Sequence, residues 1–133
     1  MKVVIDTNVL ISGVFFAGLP SRIIEAWRDG RVDLVVSPEI LEEYRRVGER
    51  LAVQFEGLSL EPFLMLLATH AEIVEPPELA EPVASDPDDD KFLACALVSD
   101  AQLIISGDKH LLAVSPHKGV EVVSPRQFVE SYL

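Results

Sequence analysis

The chain has 133 residues, of which 49% are hydrophobic and 25% charged, and its formal net charge is −11. This composition is typical of a globular protein rather than a disordered one, and no apolar run approaches the roughly 20 residues of a membrane span. The one cysteine, Cys95, excludes an intrachain disulfide and lies in an apolar stretch, where we predict a core residue. Without a signal-peptide pattern, we expect a cytoplasmic protein that contacts no membrane. The acidity disfavours general nucleic-acid binding unless metal ions or local arginines reverse the field.

Strands and helices alternate along the sequence. Short runs rich in Val and Ile predict strands, and amphipathic or proline-initiated runs predict helices. The predicted strands are 2–5, 33–36, 72–75, 102–106 and 120–123. The predicted helices are 20–29, 38–54, 59–70, 89–99, a short turn after Asp108 and a last helix from Ser124, whereas four prolines make 76–87 an extended loop. Because such alternation builds parallel sheets covered on both faces, we predict one α/β domain, 1–133, with three layers.

Two of the predicted strands end in aspartates. Val3-Val4-Ile5 leads into Asp6-Thr7-Asn8, and the strand that begins at 102 leads into Ser106-Gly107-Asp108. The carboxyl ends of parallel strands form the edge at which open α/β sheets bind ligands. Each aspartate is also a suitable cap for the following helix, which is the structural alternative for both. Their matching positions at two strand ends favour a functional site.

Helical geometry distinguishes the acids of the predicted helix 38–54. Its buried stripe recurs at helical spacing, at Ile40, Tyr44, Val47 and Leu51. Glu42 points nearly opposite this stripe, toward Arg45 and Arg46, and is predicted to form surface ion pairs. Glu43 lies at the border of the stripe, where its side chain can reach back over the sheet edge. Glu43 is therefore the candidate ligand of this helix.

A run of acids, Asp86-Pro87-Asp88-Asp89-Asp90, precedes the apolar helix predicted at 89–99. Asp86 is placed to cap the helix, and Asp88 and Asp89 suit the positive end of its dipole. Asp90 falls about one turn inside, where capping explains it less well. The helix is apolar nearly all round, so periodicity does not decide which acid faces the sheet edge.

Carboxylates from two strand ends and two helices would repel one another unless cations bound among them. Hard oxygen ligands favour Mg²⁺ or Mn²⁺ over zinc, and no Cys or His pair has the spacing of a zinc site. The histidines His70, His110 and His117 are assigned no ligand role.

Four segments follow one another in an informative order. They are Val4-Ile5-Asp6-Thr7-Asn8-Val9-Leu10, Ser37-Pro38-Glu39-Ile40-Leu41-Glu42-Glu43-Tyr44, Asp86-Pro87-Asp88-Asp89-Asp90-Lys91-Phe92-Leu93-Ala94 and Ser106-Gly107-Asp108-Lys109-His110-Leu111-Leu112. Together they resemble the PIN-domain ribonucleases, in particular the VapC-like toxins of bacterial and archaeal toxin–antitoxin pairs. The resemblance covers almost the whole chain. It implies a parallel sheet of about five strands in the order 3-2-1-4-5, in which Asp6 and Asp108 are neighbours at the topological switch point.

The resemblance also implies a chemistry, the metal-dependent hydrolysis of phosphodiester bonds in single-stranded RNA. It implies that the catalytic residues and ligands of Mg²⁺ or Mn²⁺ are Asp6, Glu43, Asp90 and Asp108. Asp90 is chosen over its neighbours because the family's acid directly precedes a helix of the Phe-Leu-Ala type. The residues that would orient water, phosphate or carboxylates around this set are Thr7, Asn8, Ser106 and Asp88.

Partners follow from the same resemblance. It implies a homodimer and an antitoxin protein that covers the active site. The apolar stretch Val9–Leu19, with Phe15 and Phe16, is the candidate surface for the antitoxin, and core packing is the alternative for either phenylalanine. Candidate RNA contacts are Arg22, Arg45, Arg46 and Arg50, for which surface solubility is the alternative.

Other function classes explain the pattern less well. A catalytically silent PIN-like scaffold or binding module is the main alternative, although the presence of all four acids argues against it. A phosphatase of the haloacid-dehalogenase type needs a second acid two residues after the first, where this chain has Asn8. A receiver-like phospho-acceptor would need adjacent acids early in the chain.

Overall fold

A five-stranded parallel sheet organises the computed structural model, which describes residues 1–77, 79, 81–84 and 86–133. Its strands are β1 (Lys2–Ile5), β2 (Asp33–Val36), β3 (Glu72–Ile73), β4 (Leu103–Ile105) and β5 (Glu121–Val123). They lie in the order β3-β2-β1-β4-β5, and every adjacent pair is parallel. The predicted order 3-2-1-4-5 and the three-layer α/β/α architecture are thus confirmed.

The central strands are apolar because the sheet is covered on both faces. Val3, Val4, Ile104 and Ile105 are fully inaccessible to solvent, as expected for parallel strands between helical layers. The register pairs Ile5 with Ile105, so β1 and β4 end side by side. This register determines which residues meet at the carboxyl edge.

Seven helices of the described chain cover the sheet. They are α1 (Thr7–Phe15), α2 (Leu19–Arg28), α3 (Pro38–Gln54), α4 (Glu61–His70), α5 (Asp90–Ser99), α6 (Lys109–Leu112) and α7 (Pro125–Tyr132), and a 3₁₀ turn (Pro87–Asp89) precedes α5. The bounds agree with the predicted helices to within about two residues, and β3 is two residues shorter than predicted. The predicted loop 76–87 includes Glu78, Ala80 and Ser85, which lie outside the described residues.

Helix α1 is the element that the sequence did not predict. Val9, Leu10 and Ile11 are all buried, so the segment lacks an amphipathic period. It packs closely on α2 at Gly13, where a Cβ atom would lie 2.8 Å from the carbonyl oxygen of Pro20. Much of the stretch predicted as a partner surface is therefore core, whereas Phe16 is 54% exposed.

A hydrogen bond ties α3 to the sheet, and the cysteine of α5 lies in the core. The Tyr44 hydroxyl on α3 donates a hydrogen bond to the carbonyl oxygen of Ile5, the last residue of β1. On α5, Cys95 is fully buried, and burial raises the pKa of its thiol to about 12. The thiol therefore stays protonated, which confirms Cys95 as a core residue rather than a nucleophile.

Within the described residues, no single helix is long and apolar enough to cross a membrane. The pair Thr7–Phe15 and Leu19–Arg28, bent by 85°, reaches that length and composition when its two helices are taken together.

Candidate functional site

Asp6 and Asp108 meet through Ser106 at the carboxyl ends of β1 and β4. The Asp6 amide donates to the Ile105 carbonyl at 2.9 Å, which extends the ladder by one residue. The Ser106 hydroxyl donates to Asp6 Oδ2 at 2.7 Å and accepts from the Asp108 amide at 2.9 Å. Asp108 Oδ1 also accepts from the His110 amide and caps α6. One buried serine therefore links the two predicted acids.

Asp6 occupies the N-cap position of α1 without acting as a side-chain cap. Its side chain makes no capping hydrogen bond, and the residue is only 7% exposed. Burial raises the pKa of the Asp6 carboxyl, and the nearby charges of Asp108 and Glu43 raise it further. Hydrogen bonds from Ser106 and the adjacent Thr7 amide partly offset this increase. The capping alternative therefore does not explain the Asp6 side chain.

Glu43 reaches over the sheet edge from α3, as the helical geometry indicates. The Thr7 hydroxyl donates to Glu43 Oε2. On the other side, Lys91 Nζ on α5 lies 2.5 Å from Glu43 Oε1. Glu42, by contrast, points to solvent and lies 3.8 Å from Arg45, as predicted.

Asp89 is the acid of the 86–90 run that faces the other carboxylates. It is 8% exposed, and its Oδ2 atom is buried without a hydrogen-bond partner among the described residues. Burial raises the pKa of the Asp89 carboxyl to about 6, and the negative charges of Asp108, Asp86, Asp6 and Glu43 contribute. A buried carboxylate oxygen without a partner is costly, so this atom is available to a hydrogen-bond donor or a cation that the described side chains do not supply.

Asp90, the acid that the resemblance implied, points elsewhere. Its carboxylate accepts hydrogen bonds from the Ala84 amide at 2.7 Å and from the Val83 amide at 3.2 Å. It thereby fixes the segment that precedes the 3₁₀ turn. Its neighbour Asp86 caps that turn through the Asp88 amide, as predicted. Asp89 rather than Asp90 is thus the acid of this run whose pKa the other carboxylates raise, because successive residues at a helix start point in different directions.

The other predicted site residues lie around this cluster. Thr7 and Ser106 each hold a carboxylate oxygen of the cluster. Asn8 and Asp88 are exposed, at the start of α1 and in the 3₁₀ turn respectively. The sequence analysis missed Asp89 and Lys91, and the run Asp88-Asp89-Asp90-Lys91 carried no periodic signal that would have separated them.

We define the acidic cluster as Asp6, Glu43, Asp89 and Asp108. Among the described residues, no three Asp, Glu, His or Cys side chains stand close enough together to form a ready-made metal site. The donor set nevertheless fits Mg²⁺ or Mn²⁺ in chemistry, because it consists of carboxylate oxygens. The unpartnered Asp89 Oδ2 and the raised pKa of Asp6 are the features that a bound cation would relieve.

A groove of about 670 Å³ opens beside the cluster. It runs between the start of α3, the start of α5 and the proline-rich segment before the 3₁₀ turn. Its lining includes Asp88, Asp90 and Lys91, whereas the described lining contains no member of the acidic cluster. The groove and the cluster are thus neighbouring features that share a wall at α5.

Comparisons with known proteins agree with this geometry. The family model described as the PIN domain matches residues 2–110. The fold is similar to a chain in the crystal structure of VapBC2 from Rickettsia felis bound to a DNA fragment from their promoter, with a TM-score of 0.59. That alignment covers 93% of this chain and 98% of the other at 9% sequence identity, which establishes a shared fold alone. No curated protein matches the sequence.

Proposed function

Because this chain belongs to the PIN domain family, we propose that it is a metal-dependent endoribonuclease that hydrolyses single-stranded RNA. The observation that carries the proposal is the buried Asp89 Oδ2 atom, which has no hydrogen-bond partner among the described residues and faces three further acids. Buried acids whose charges raise one another's pKa are found in proteins chiefly where a cation or a reaction requires them.

The acidic cluster would hold one or two Mg²⁺ or Mn²⁺ ions, directly or through water. Asp6 and Asp108 would contribute from the strand ends, Glu43 from α3 and Asp89 from the 3₁₀ turn. Asp90 would support the site indirectly, because it holds the backbone of residues 83 and 84. When bound, such a metal lowers the pKa of a water molecule and stabilises the departing oxygen of the phosphodiester.

The chain's own residues prepare this site by orienting its carboxylates. The Ser106 hydroxyl holds Asp6 Oδ2, and the Thr7 hydroxyl holds Glu43 Oε2, so the orientation of each carboxylate is fixed. Outer hydrogen bonds of this kind tune metal affinity. The burial of Asp6 and Asp89 also keeps bulk water away from those two carboxylates, which strengthens their interaction with a cation.

The biological role that we propose is that of the toxin in a toxin–antitoxin pair in the cytoplasm. It is supported by the structural similarity to VapBC2, which is a fold-level argument. The antitoxin would contact the end of α1, where Phe16 is 54% exposed, and the toxin would form a homodimer. RNA would contact the exposed arginines Arg22, Arg45, Arg46 and Arg50.

Cleavage of a panel of single-stranded RNAs tests the proposal. We expect cleavage by the wild type with Mg²⁺ or Mn²⁺, none with EDTA, and loss of cleavage in Asp6→Asn. Asp33→Asn, a change of an exposed aspartate at the opposite end of the sheet, is the matched control and should cleave normally. Cleavage that persists both in EDTA and in Asp6→Asn would exclude the metal-nuclease mechanism.

A catalytically silent scaffold is the second candidate function. It is favoured by the absence of a ready-made metal site among the described residues and by the engagement of Glu43 with Lys91. Calorimetry with Mn²⁺ separates the two candidates. A nuclease should bind Mn²⁺ in a manner that depends on Asp6, whereas a scaffold should give no binding heat.

A further inference from the structure

Lys91 forms an unusually enclosed ion pair with Glu43. Its side chain is 11% exposed and that of Glu43 is 16% exposed, and Nζ lies 2.5 Å from Oε1. Arg46 approaches the same oxygen only to 3.9 Å and is 58% exposed. Because the Lys91 pair is shielded from water and salt, its charges interact more strongly than those of a surface ion pair.

The pair places a positive charge where a metal ligand is proposed. Both oxygens of Glu43 are already engaged, Oε2 by the Thr7 hydroxyl and Oε1 by the Lys91 ammonium. A divalent cation that used Glu43 would approach this ammonium closely. Two positive charges at such a distance repel each other strongly where water is scarce. Cation binding at Glu43 therefore requires that the ammonium move away or that the repulsion be overcome.

We propose that Lys91 is an internal counter-ion of Glu43 that opposes binding of a divalent cation at this carboxylate. In the metal-free protein the ammonium neutralises Glu43 and lowers the cost of keeping four acids together. In the presence of the cation the same ammonium competes for Oε1. Lys91 is thus a positioning residue that sets the metal concentration at which the site fills. This inference rests on the proposed metal-binding function of the acidic cluster.

Calorimetric titration with Mn²⁺ alone tests the competition. Lys91→Met keeps most of the side-chain volume and removes the charge, so its affinity for Mn²⁺ should rise by about tenfold or more. The matched control is Lys118→Met, which removes the same charge from an exposed position in the turn before β5. The control should bind Mn²⁺ as the wild type does.

Thermal unfolding in EDTA provides a second, metal-free readout. Lys91→Met should lower the melting temperature, because it leaves the half-buried Glu43 carboxylate without its counter-ion. Adding Glu43→Gln to that variant should restore most of the loss. Lys91→Gln, which keeps a hydrogen-bond donor, is the second variant for the case in which Lys91→Met does not fold.

The outcomes separate this inference from the proposed function. If the wild type and both Lys91 variants bind no Mn²⁺, the metal-binding proposal is overturned, and the inference fails with it. If the wild type binds Mn²⁺ and the Lys91 variants bind it equally well or more weakly, only the counter-ion role is overturned. Tighter binding by the variants, with an unchanged control, supports both.

Discussion

The charged residues at the two ends of the parallel sheet differ in their exposure and in the sign of the charges beside them. At the amino ends of the strands, Lys2 lies 3.1 Å from Glu72, and both side chains are about 40% exposed. The N-terminal ammonium lies 3.9 Å from Asp33, which is 72% exposed. At the carboxyl ends, Asp6 and Asp89 are less than 10% exposed, and burial together with the charges of neighbouring acids raises the pKa of each carboxyl.

This difference separates charges that suit the fold from charges that cost stability. Exposed pairs between opposite charges contribute little, and they need no further explanation. Buried acids near other acids destabilise the fold, and such local conflicts in natural proteins mark functional sites. The carboxyl end is therefore where substitutions should have large effects, and the amino end is where they should not.

The largest expected effect is on RNA cleavage. Asp89→Asn should reduce the cleavage rate in Mn²⁺ by more than about a hundredfold, the upper end for residues that only orient metal ligands. Asp90→Asn keeps a carbonyl acceptor for the amide of Ala84 and should stay within about tenfold of the wild type. Initial rates on one RNA substrate measure both. A larger loss in Asp90→Asn than in Asp89→Asn would restore Asp90 as the ligand.

The second-largest expected effect is on the free energy of unfolding. Asp90→Ala removes the charged acceptor of the Val83 and Ala84 amides and should lower the free energy of unfolding by about 2 kcal/mol. Urea unfolding in EDTA measures this loss. Asp88→Ala changes an exposed side chain in the same turn and should shift the value by less than about 0.5 kcal/mol. Equal losses in both variants would contradict the anchoring role of Asp90.

A smaller effect is expected in the pH dependence of the metal-free protein. The pKa of Asp89 in the folded state, about 6, lies above its ordinary value of 3.8, so the folded state binds more protons than the unfolded state. Its contribution to stability is full below pH 4 and is lost as the pH rises through 6, by about 1–2 kcal/mol. Unfolding of the wild type and Asp89→Asn from pH 4 to 8 measures the difference, which should favour the variant at pH 8. A constant difference would refute the raised pKa.

The smallest effect is expected at the amino end of the sheet. Glu72→Gln removes the exposed ion pair with Lys2 and should change the free energy of unfolding by less than about 0.5 kcal/mol, with cleavage unaffected. Urea unfolding at low and high salt checks this, because salt screens surface pairs. A loss above 1 kcal/mol would show that the two ends of the sheet do not differ as described.

Most of the fold was predictable from local pattern. Val and Ile runs predicted the strands, and Ser37-Pro38-Glu39 predicted the start of α3, where the Ser37 hydroxyl accepts from the Ile40 amide. Helix α1 was not predictable in this way, because Val9, Leu10 and Ile11 are buried on several sides and leave no polar face.

The candidate site was predictable only in part. Asp6 and Asp108 followed from their places after two strands, and Glu43 followed from its place at the border of a helical stripe. The choice between Asp89 and Asp90 could not be made from the sequence, because the 3₁₀ turn before α5 changes the angle between successive side chains.

The sequence by itself determined which segments become strands and helices and which acids stand at their ends, because those properties follow from the period of apolar residues. Only the tertiary structure decided where each acid points and what it meets. Asp6 meets Ser106 across 100 residues, and Glu43 meets Lys91 across 48. Such contacts depend on strand register and helix packing, and these bring together residues that no local pattern relates.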